Sequence, residues 1–509
     1  MMAMHRRTVL GAGAGLLLAG GARAQEELKG GTLRVGVVAD ISNFDPDSFL
    51  VLNFPILKNL YDSLIEYTPE GKAVPSLATG WTIAPDATSV TVTLRRDVQF
   101  WSGGPVNAPA VAKTLEKAAD PKRGKNVYAT MAFVKGWSVV DDGTIRLDFS
   151  SPAPAEEITD LLQFVSVIDP AGIDTIETKP AGSGAYMLAE RVVGQRIHLT
   201  ANPHYWRQGE PVCKDVVFTI FSEDAAASAA LESGALDLIY GGTARSAQRL
   251  SNSGYQLVSG PGKLVQVFRI NTTRGPFRNE KFRQAFNYLI DRASILRLGY
   301  AGIGQVTALP WAPVSPAYDA SYNEKYGFNL DKGKALLQES GLSEADMNNW
   351  KLTVDAGYQE LVVISQIVQS TLQKVGIKID LDLKRGGDLT DAMLTGKFDT
   401  LFGGVGNVQK FPSRLATNSI YRTANNPVLG SPHPFPRYLE AIERINTTVG
   451  PPDRVKAAID NLNQVLVESA FGVPTNTYDP ALTVARKELA GFTLDIDNQL
   501  VARTIGFRR

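Results

Sequence analysis

The chain holds 509 residues, 52 of them Lys or Arg and 52 Asp or Glu. One apolar core stops growing near about 300 residues, so the length implies at least two lobes. The balanced charge has neither the basic excess nor the basic runs of a protein that tracks phosphates, which argues against nucleic acid as a partner.

The first element reads as an address label. In "HRRTVLGAGAGLLLAGGARAQ", residues 5–25, Arg6 and Arg7 precede an apolar run from Thr8 to Ala22, and Ala22 and Ala24 flank Arg23 in the small-residue pattern that a signal peptidase cuts. The run is too short and too Gly-rich to cross a hydrocarbon core that needs about 20 apolar residues. A cleaved signal peptide over residues 1–24 is expected, with its arginine pair similar to the twin-arginine export signal. His5, Val9 and Gly11 stand where that signal more often has a hydroxyl, a Phe and a Lys, which leaves the general secretory route open. No Cys follows the run, so a soluble periplasmic protein is expected rather than a lipid-anchored one. Cleavage leaves 49 basic against 52 acidic residues.

Beyond the label, Leu33, Val35 and Val37 alternate with Thr32, Arg34 and Gly36 at strand period, and "SVTVTLRRDVQF" repeats it with Val90, Val92 and Leu94. Between them, "FPILKNLYDSLIEYTPEGK" predicts a helix ending near Tyr67 before a Pro/Gly turn. In "PAGSGAY", Gly182 and Gly184 around Ser183 allow a tight turn where a backbone passes close by. "TANPHYW" ends a strand at Asn202-Pro203 and supplies Tyr205 and Trp206, large groups able to plug an interdomain edge.

Cys213 is the only cysteine, so no intrachain disulfide and no Cys-based metal site are available, and it reads as a buried apolar residue. In "NEKFRQAFNYLIDRASIL", Asn279 is placed to cap a helix whose buried face carries Phe282, Ala285, Phe286, Leu289 and Ile290. "QELVVISQIVQSTLQKVGIKIDLDL" joins a helix with Leu361, Ile364, Val368 and Val375 on one side to a strand with Ile377, Ile379, Leu381 and Leu383 alternating, Gly376 serving as the left-handed stop. Asp380 and Asp382 then share the solvated face of that strand. His198, His204 and His433, the histidines outside the label, lie in no metal-ligand spacing, and no metal or cofactor is expected. Strands alternating with helices of this length indicate α/β architecture.

Several segments together resemble a family. "GGTLRVGVVADISNFDPDS", "YTPEGKAVPSLATGWTIAPDATSVTVTLRRDVQFWSGGPV", "PAGSGAYMLAE", "LTANPHYW", "FRINTTRGPFRNEKFRQAFNYLIDRASIL", "NLDKGKALLQESGL" and "GKFDTLFGG" occur in the order seen in the peptide/nickel-type, family 5 solute-binding proteins of ATP-driven (ABC) importers, over residues 30 to 509. The resemblance implies an α/β, two-lobed periplasmic-binding-protein fold of class II type with an extra subdomain in the first lobe. Lobe 1 is expected over 25–271, including an inserted small subdomain at about 61–165, lobe 2 over 272–475, and a return to lobe 1 over 476–509. The first crossing is expected near Asn271 to Pro276 and the return near Pro474 to Pro480. It also implies a monomer that captures a small-molecule or short-peptide solute by hinge closure and delivers it to an inner-membrane permease.

Carried over residue by residue, the resemblance places Tyr128 in "DPKRGKNVYATM" and Tyr478 in "PTNTYDP" at the ligand. Downstream of "GKFDTLFGG", peptide binders usually carry a tryptophan and then an aspartate that pairs with the peptide's amino terminus. Here "GGVGNVQKFPSR" offers Val405 in the tryptophan's place and Asn407, Val408 and Gln409 around the aspartate's. A buried ammonium without a carboxylate is costly, so an ordinary amino-terminally anchored peptide is not expected. Asn407 and Gln409 suit hydroxyls and amides, while Arg414 and, in "LKRGGDL", Arg385 could fork onto an anionic group. A polar organic solute carrying an anion is the resulting expectation. A secreted hydrolase is the rival class, but there is no Gly-x-Ser-x-Gly elbow, no His-Glu-x-x-His pair and no motif around the cysteine, so no enzyme is expected. A binding protein that reports its solute to a sensor is the other alternative.

Overall fold

The computed structural model of the chain describes residues 28–508 apart from 49–53, 260, 261, 263, 406–411, 419, 424, 425, 431, 432, 449, 450, 480, 481 and 495–499. Ala22 and Ala24, where cleavage is expected, lie outside this range, as do Asn407 and Gln409.

The alternation at the start of the described chain becomes a central strand. Thr32–Val37 buries Leu33, Val35 and Val37 and runs parallel to Asp215–Ile220 on one side and Leu238–Gly242 on the other, with Val35 opposite both Phe218 and Leu238. The seven-stranded sheet has the order Gln256–Val258, Leu482–Ala485, Leu238–Gly242, Thr32–Val37, Asp215–Ile220, Arg196–Ala201, Tyr186–Val192. Because side chains alternate across a strand, Leu238 and Tyr240 enter one core while Ile239 enters another, beneath the helices Asp224–Glu232 and Ala244–Asn252. Cys213 is fully buried and its thiol is pushed up to about 11 by that burial.

A second, separate core runs from Leu64 to Val167. It belongs to a four-stranded antiparallel sheet, Ala78–Ile83, Ser89–Leu94, Thr144–Phe149 and Val134–Asp141 in spatial order, covered by the helices Ala108–Ala118 and Ala155–Phe164. Val90, Val92 and Leu94 point into it, as their spacing requires. The helix expected to reach Tyr67 stops at Leu60, and Ile65–Tyr67 is a strand paired with Ala73–Pro75. Neighbours capture the chain there: the Leu60 carbonyl accepts from the Gly184 amide, and the Ser63 and Leu64 carbonyls accept from the amides of Leu77 and Ala78.

The small core and the seven-stranded sheet are joined around the buried Asp62. Its carboxylate accepts from Ser183 Oγ at 3.0 Å, Tyr205 Oη at 3.1 Å and Trp206 Nε1 at 3.2 Å. Tyr205 packs on the first core and Trp206 on the small one, so this pair bridges the two. Gly182 and Gly184 are required by the approach of Leu60: a Cβ on Gly182 would lie 2.1 Å from the Leu60 carbonyl oxygen, and one on Gly184 2.5 Å from the Leu60 carbonyl carbon.

The third unit is a five-stranded sheet in the order Asp380–Lys384, Lys351–Asp355, Thr400–Val405, Leu264–Ile270, Gly472–Tyr478. The helix Glu280–Leu289 packs on it through Phe282, Ala285, Phe286 and Leu289, its amino end capped by Asn279 accepting from the Phe282 amide at 3.1 Å. The helix Gln359–Gln373 ends before Gly376, whose φ of 84° is the left-handed stop, and the following strand is shorter than its alternation suggests, with Ile377 and Ile379 buried ahead of it. Asp380 is exposed, but Asp382 is half-buried, accepting from Thr353 Oγ at 3.0 Å with Lys384 at 3.3 Å.

Strand membership moves the first crossing from its expected place, while the return falls at the end of the stretch expected for it. Leu264–Ile270 pairs with Thr400–Val405 and Gly472–Tyr478, so it belongs to this sheet and not to the first lobe. The chain therefore crosses between Val258 and Leu264, ahead of Asn271–Pro276, and returns between Tyr478 and Leu482. Asn271 instead anchors the turn after the strand, its Nδ2 donating to the carbonyls of Gly396 and Phe398. After the return, Leu482–Ala485 completes the first sheet, and Arg503 ties the tail to Glu66 at 2.9 Å and Glu210 at 2.7 Å.

Candidate functional site

The strands that flank the two crossings pair with each other in both lobes. On the first-lobe side Val258 pairs with Thr483, and on the second-lobe side Leu264 pairs with Tyr478. Strands at both ends of a narrow double connection make a hinge, because only a few backbone torsions must change for the two sheets to rotate. The carboxyl ends of Leu238–Gly242 and Thr400–Val405 point to this junction, since Gly242 pairs with Leu482 and Val405 with Val265. Open sheets take ligands outside the carboxyl ends of their strands, which puts the candidate cleft between the lobes at the hinge.

Tyr478 stands at that mouth. Its ring packs at 5.5 Å from the ring of Tyr300, and a Cβ on Gly404 would lie 2.6 Å from its hydroxyl. Gly404 of "GKFDTLFGG" thus lets the Tyr478 hydroxyl lie close over the strand backbone, and the stretch carrying Asn407 and Gln409 follows Val405 in sequence. Burial pushes the Tyr478 phenol upward, so it acts as a neutral donor and acceptor.

Arg414 lies in the short turn Pro412–Thr417 of the second lobe and reaches the small subdomain. Its Nη2 donates to Asp160 Oδ2 at 3.1 Å, with side-chain exposures of 17% and 8%. Asp160 sits on the helix Ala155–Phe164, whose Ile158, Leu161 and Leu162 belong to the small core. The pair therefore spans the gap between the subdomain and the second lobe. Tyr128, in the turn Tyr128–Phe133 of the subdomain, leaves 44% of its surface open, enough to face a solute. Arg385 is exposed after the edge strand Asp380–Lys384, with Lys351–Asp355 and Thr400–Val405 between it and Leu264–Ile270. The structure brings Tyr478 to Gly404 and Arg414 to Asp160; it does not bring Arg385 to either.

The residue the sequence reading passed over is Arg269, the last but one of Leu264–Ile270. It is 8% exposed, and its Nη2 donates to the Gly404 carbonyl at 2.8 Å. The signal was present: "LVQVFRIN" is an apolar strand interrupted by one charge, and a strand covered on both faces has little reason to carry one. Among the described residues no group of three or more His, Cys, Asp or Glu side chains gathers as a metal site would, and no helix is long and apolar enough to cross a membrane.

Comparison with known proteins agrees with this architecture. The model of the bacterial extracellular solute-binding proteins, family 5, middle region, matches residues 72–426. The glutathione-binding protein GsiB of Salmonella choleraesuis (strain SC-B67) is 27% identical over 351 residues, 68% of each chain. Among solved structures, the binding protein AgaA of A. tumefaciens R10 in complex with agropinic acid superimposes with a TM-score of 0.76 at 23% identity, covering 94% of this chain and 99% of that one. DppA from Helicobacter pylori in complex with the peptide STSA gives a TM-score of 0.77 at 20% identity, covering 95% and 99%.

Proposed function

Because the chain belongs to the family 5 bacterial extracellular solute-binding proteins, which serve ATP-driven importers, we propose that it captures a polar organic solute in the cleft at its hinge and hands it to an inner-membrane permease. The observation that carries this reading is the paired crossing, Val258 to Leu264 and Tyr478 to Leu482, with a separate core on either side. A solute closes such a hinge only through its preference for the closed form; moving the population from 1:99 to 99:1 takes about 5.5 kcal/mol of that preference. Contacts must therefore come from both lobes: Tyr128 from the subdomain, and Tyr478, Asn407 and Gln409 from the second lobe.

The protein is taken as an exported monomer, addressed by residues 1–24, and as a binder rather than a hydrolase, since its sequence holds none of the nucleophile or metal motifs a hydrolase needs. Glutathione, agropinic acid and short peptides, the molecules named with its relatives, are the first solutes to test. Thermal melting of the purified mature protein against these, with mass analysis of the recovered solute, tests the reading. Stabilisation without chemical change supports it; conversion of the solute would favour the enzyme.

A further inference from the structure

We propose that Arg269 is the anchor of the cleft and that the group it takes is a carboxylate of the solute, an inference that rests on the solute-binding reading above. A buried guanidinium normally finds an acid or several carbonyls. Two other buried arginines of the same lobe do so. Arg283 donates to the carbonyls of Ser469, Phe277 and Arg278, and Arg292 to those of Pro474, Asn287 and Tyr326.

Arg269 is different. Its side chain makes one hydrogen bond among the described residues, to Gly404, and its buried Nε has no partner. No carboxylate of the described residues lies within ion-pair distance of it. The groups that act on it electrostatically are the phenols of Tyr421 and Tyr478, both held neutral by burial, and its own pKa, pushed down by burial to about 10, leaves it charged at neutral pH. The buried Tyr421 hydroxyl also lacks a hydrogen-bond partner.

Direction decides what the side chain serves. Gly404 pairs with Gln266, which precedes Arg269 on the strand, so the guanidinium reaches back toward the hinge end of the sheet, where a Cβ on Gly404 would also meet Tyr478. A planar fork with its Nε unpartnered and neutral phenols beside it matches a carboxylate, which accepts two parallel N–H donors. The solute class is then an organic acid, and the cation that holds it belongs to the second lobe.

The test compares wild type with Arg269→Met and Arg269→Lys, each stripped of bound solute by unfolding and refolding. The probes are glutathione, agropinic acid and succinate, each beside its neutral amide, read by thermal shift and calorimetry. The proposal expects an acid to bind wild type while its amide does not, Arg269→Met to bind that acid about a hundredfold more weakly, and solute-free Arg269→Met to melt higher than wild type because an unpaired buried charge has gone. An amide binding as well as its acid, or Arg269→Met binding with unchanged affinity, overturns the carboxylate assignment and leaves the solute-binding reading standing. If no probe of either charge stabilises wild type, the solute-binding reading loses its support, and the solute-free melting still decides on Arg269: a lower melting point marks the arginine as structural and overturns the proposal.

Discussion

Lys117 shows what a buried charge costs when it is provided for. Its ammonium lies 2.8 Å from Asp45 and 2.7 Å from Asp47, all three side chains at most 2% exposed. Removing one partner of such a cluster leaves uncompensated charge, so Lys117→Met should lose about 3–5 kcal/mol of folding stability in urea melts. Burial, opposed by Lys117, pushes the Asp47 carboxyl up to about 6. A carboxyl raised above its unfolded value holds its proton in the native state, so its stabilising share is present at low pH and is lost as pH rises through 6. Melts of Asp47→Asn and wild type between pH 4 and 6 should therefore move in favour of the variant as pH rises. At the hinge, Gly404→Ala should weaken solute binding by displacing the Tyr478 hydroxyl, as calorimetry would report.

At the scale of elements, the turn through Gly184 fixes how the subdomain sits on the first sheet. A methyl there meets backbone of Asn59 and Leu60 and cannot be relieved by a rotamer change, so Gly184→Ala should cost about 3 kcal/mol, measured by denaturant unfolding. Such close passages were legible in the sequence, because paired glycines before a strand announce them. The alternation of Thr32–Val37 and Ser89–Leu94 was legible too, since each buries one face against helices. Element ends and sheet membership were not. The helix Phe54–Leu60 is cut short by amides of residues distant in sequence, and Leu264–Ile270 is assigned to its sheet by partners more than a hundred residues downstream. Arg269 was missed for the same reason: with its strand read as part of the first lobe up to a crossing at Asn271, an arginine within it carried no significance.

Across the whole molecule, Asp160 and Arg414 tie the subdomain to the second lobe at 3.1 Å. A bridge made between moving parts biases their equilibrium instead of stabilising either part. Asp160→Asn should leave the melting of each lobe nearly unchanged, enlarge the solute-free protein in X-ray scattering, and weaken solute binding by about tenfold, the penalty of a less populated closed form. The central claim, capture by closure around the hinge at Val258–Leu264 and Tyr478–Leu482, is met most directly by scattering from residues 25–509 with and without any solute recovered with the protein, its identity fixed by native mass spectrometry. The account predicts a smaller radius of gyration at saturation with the solute recovered intact. Profiles that superimpose while the solute fills the protein would contradict it.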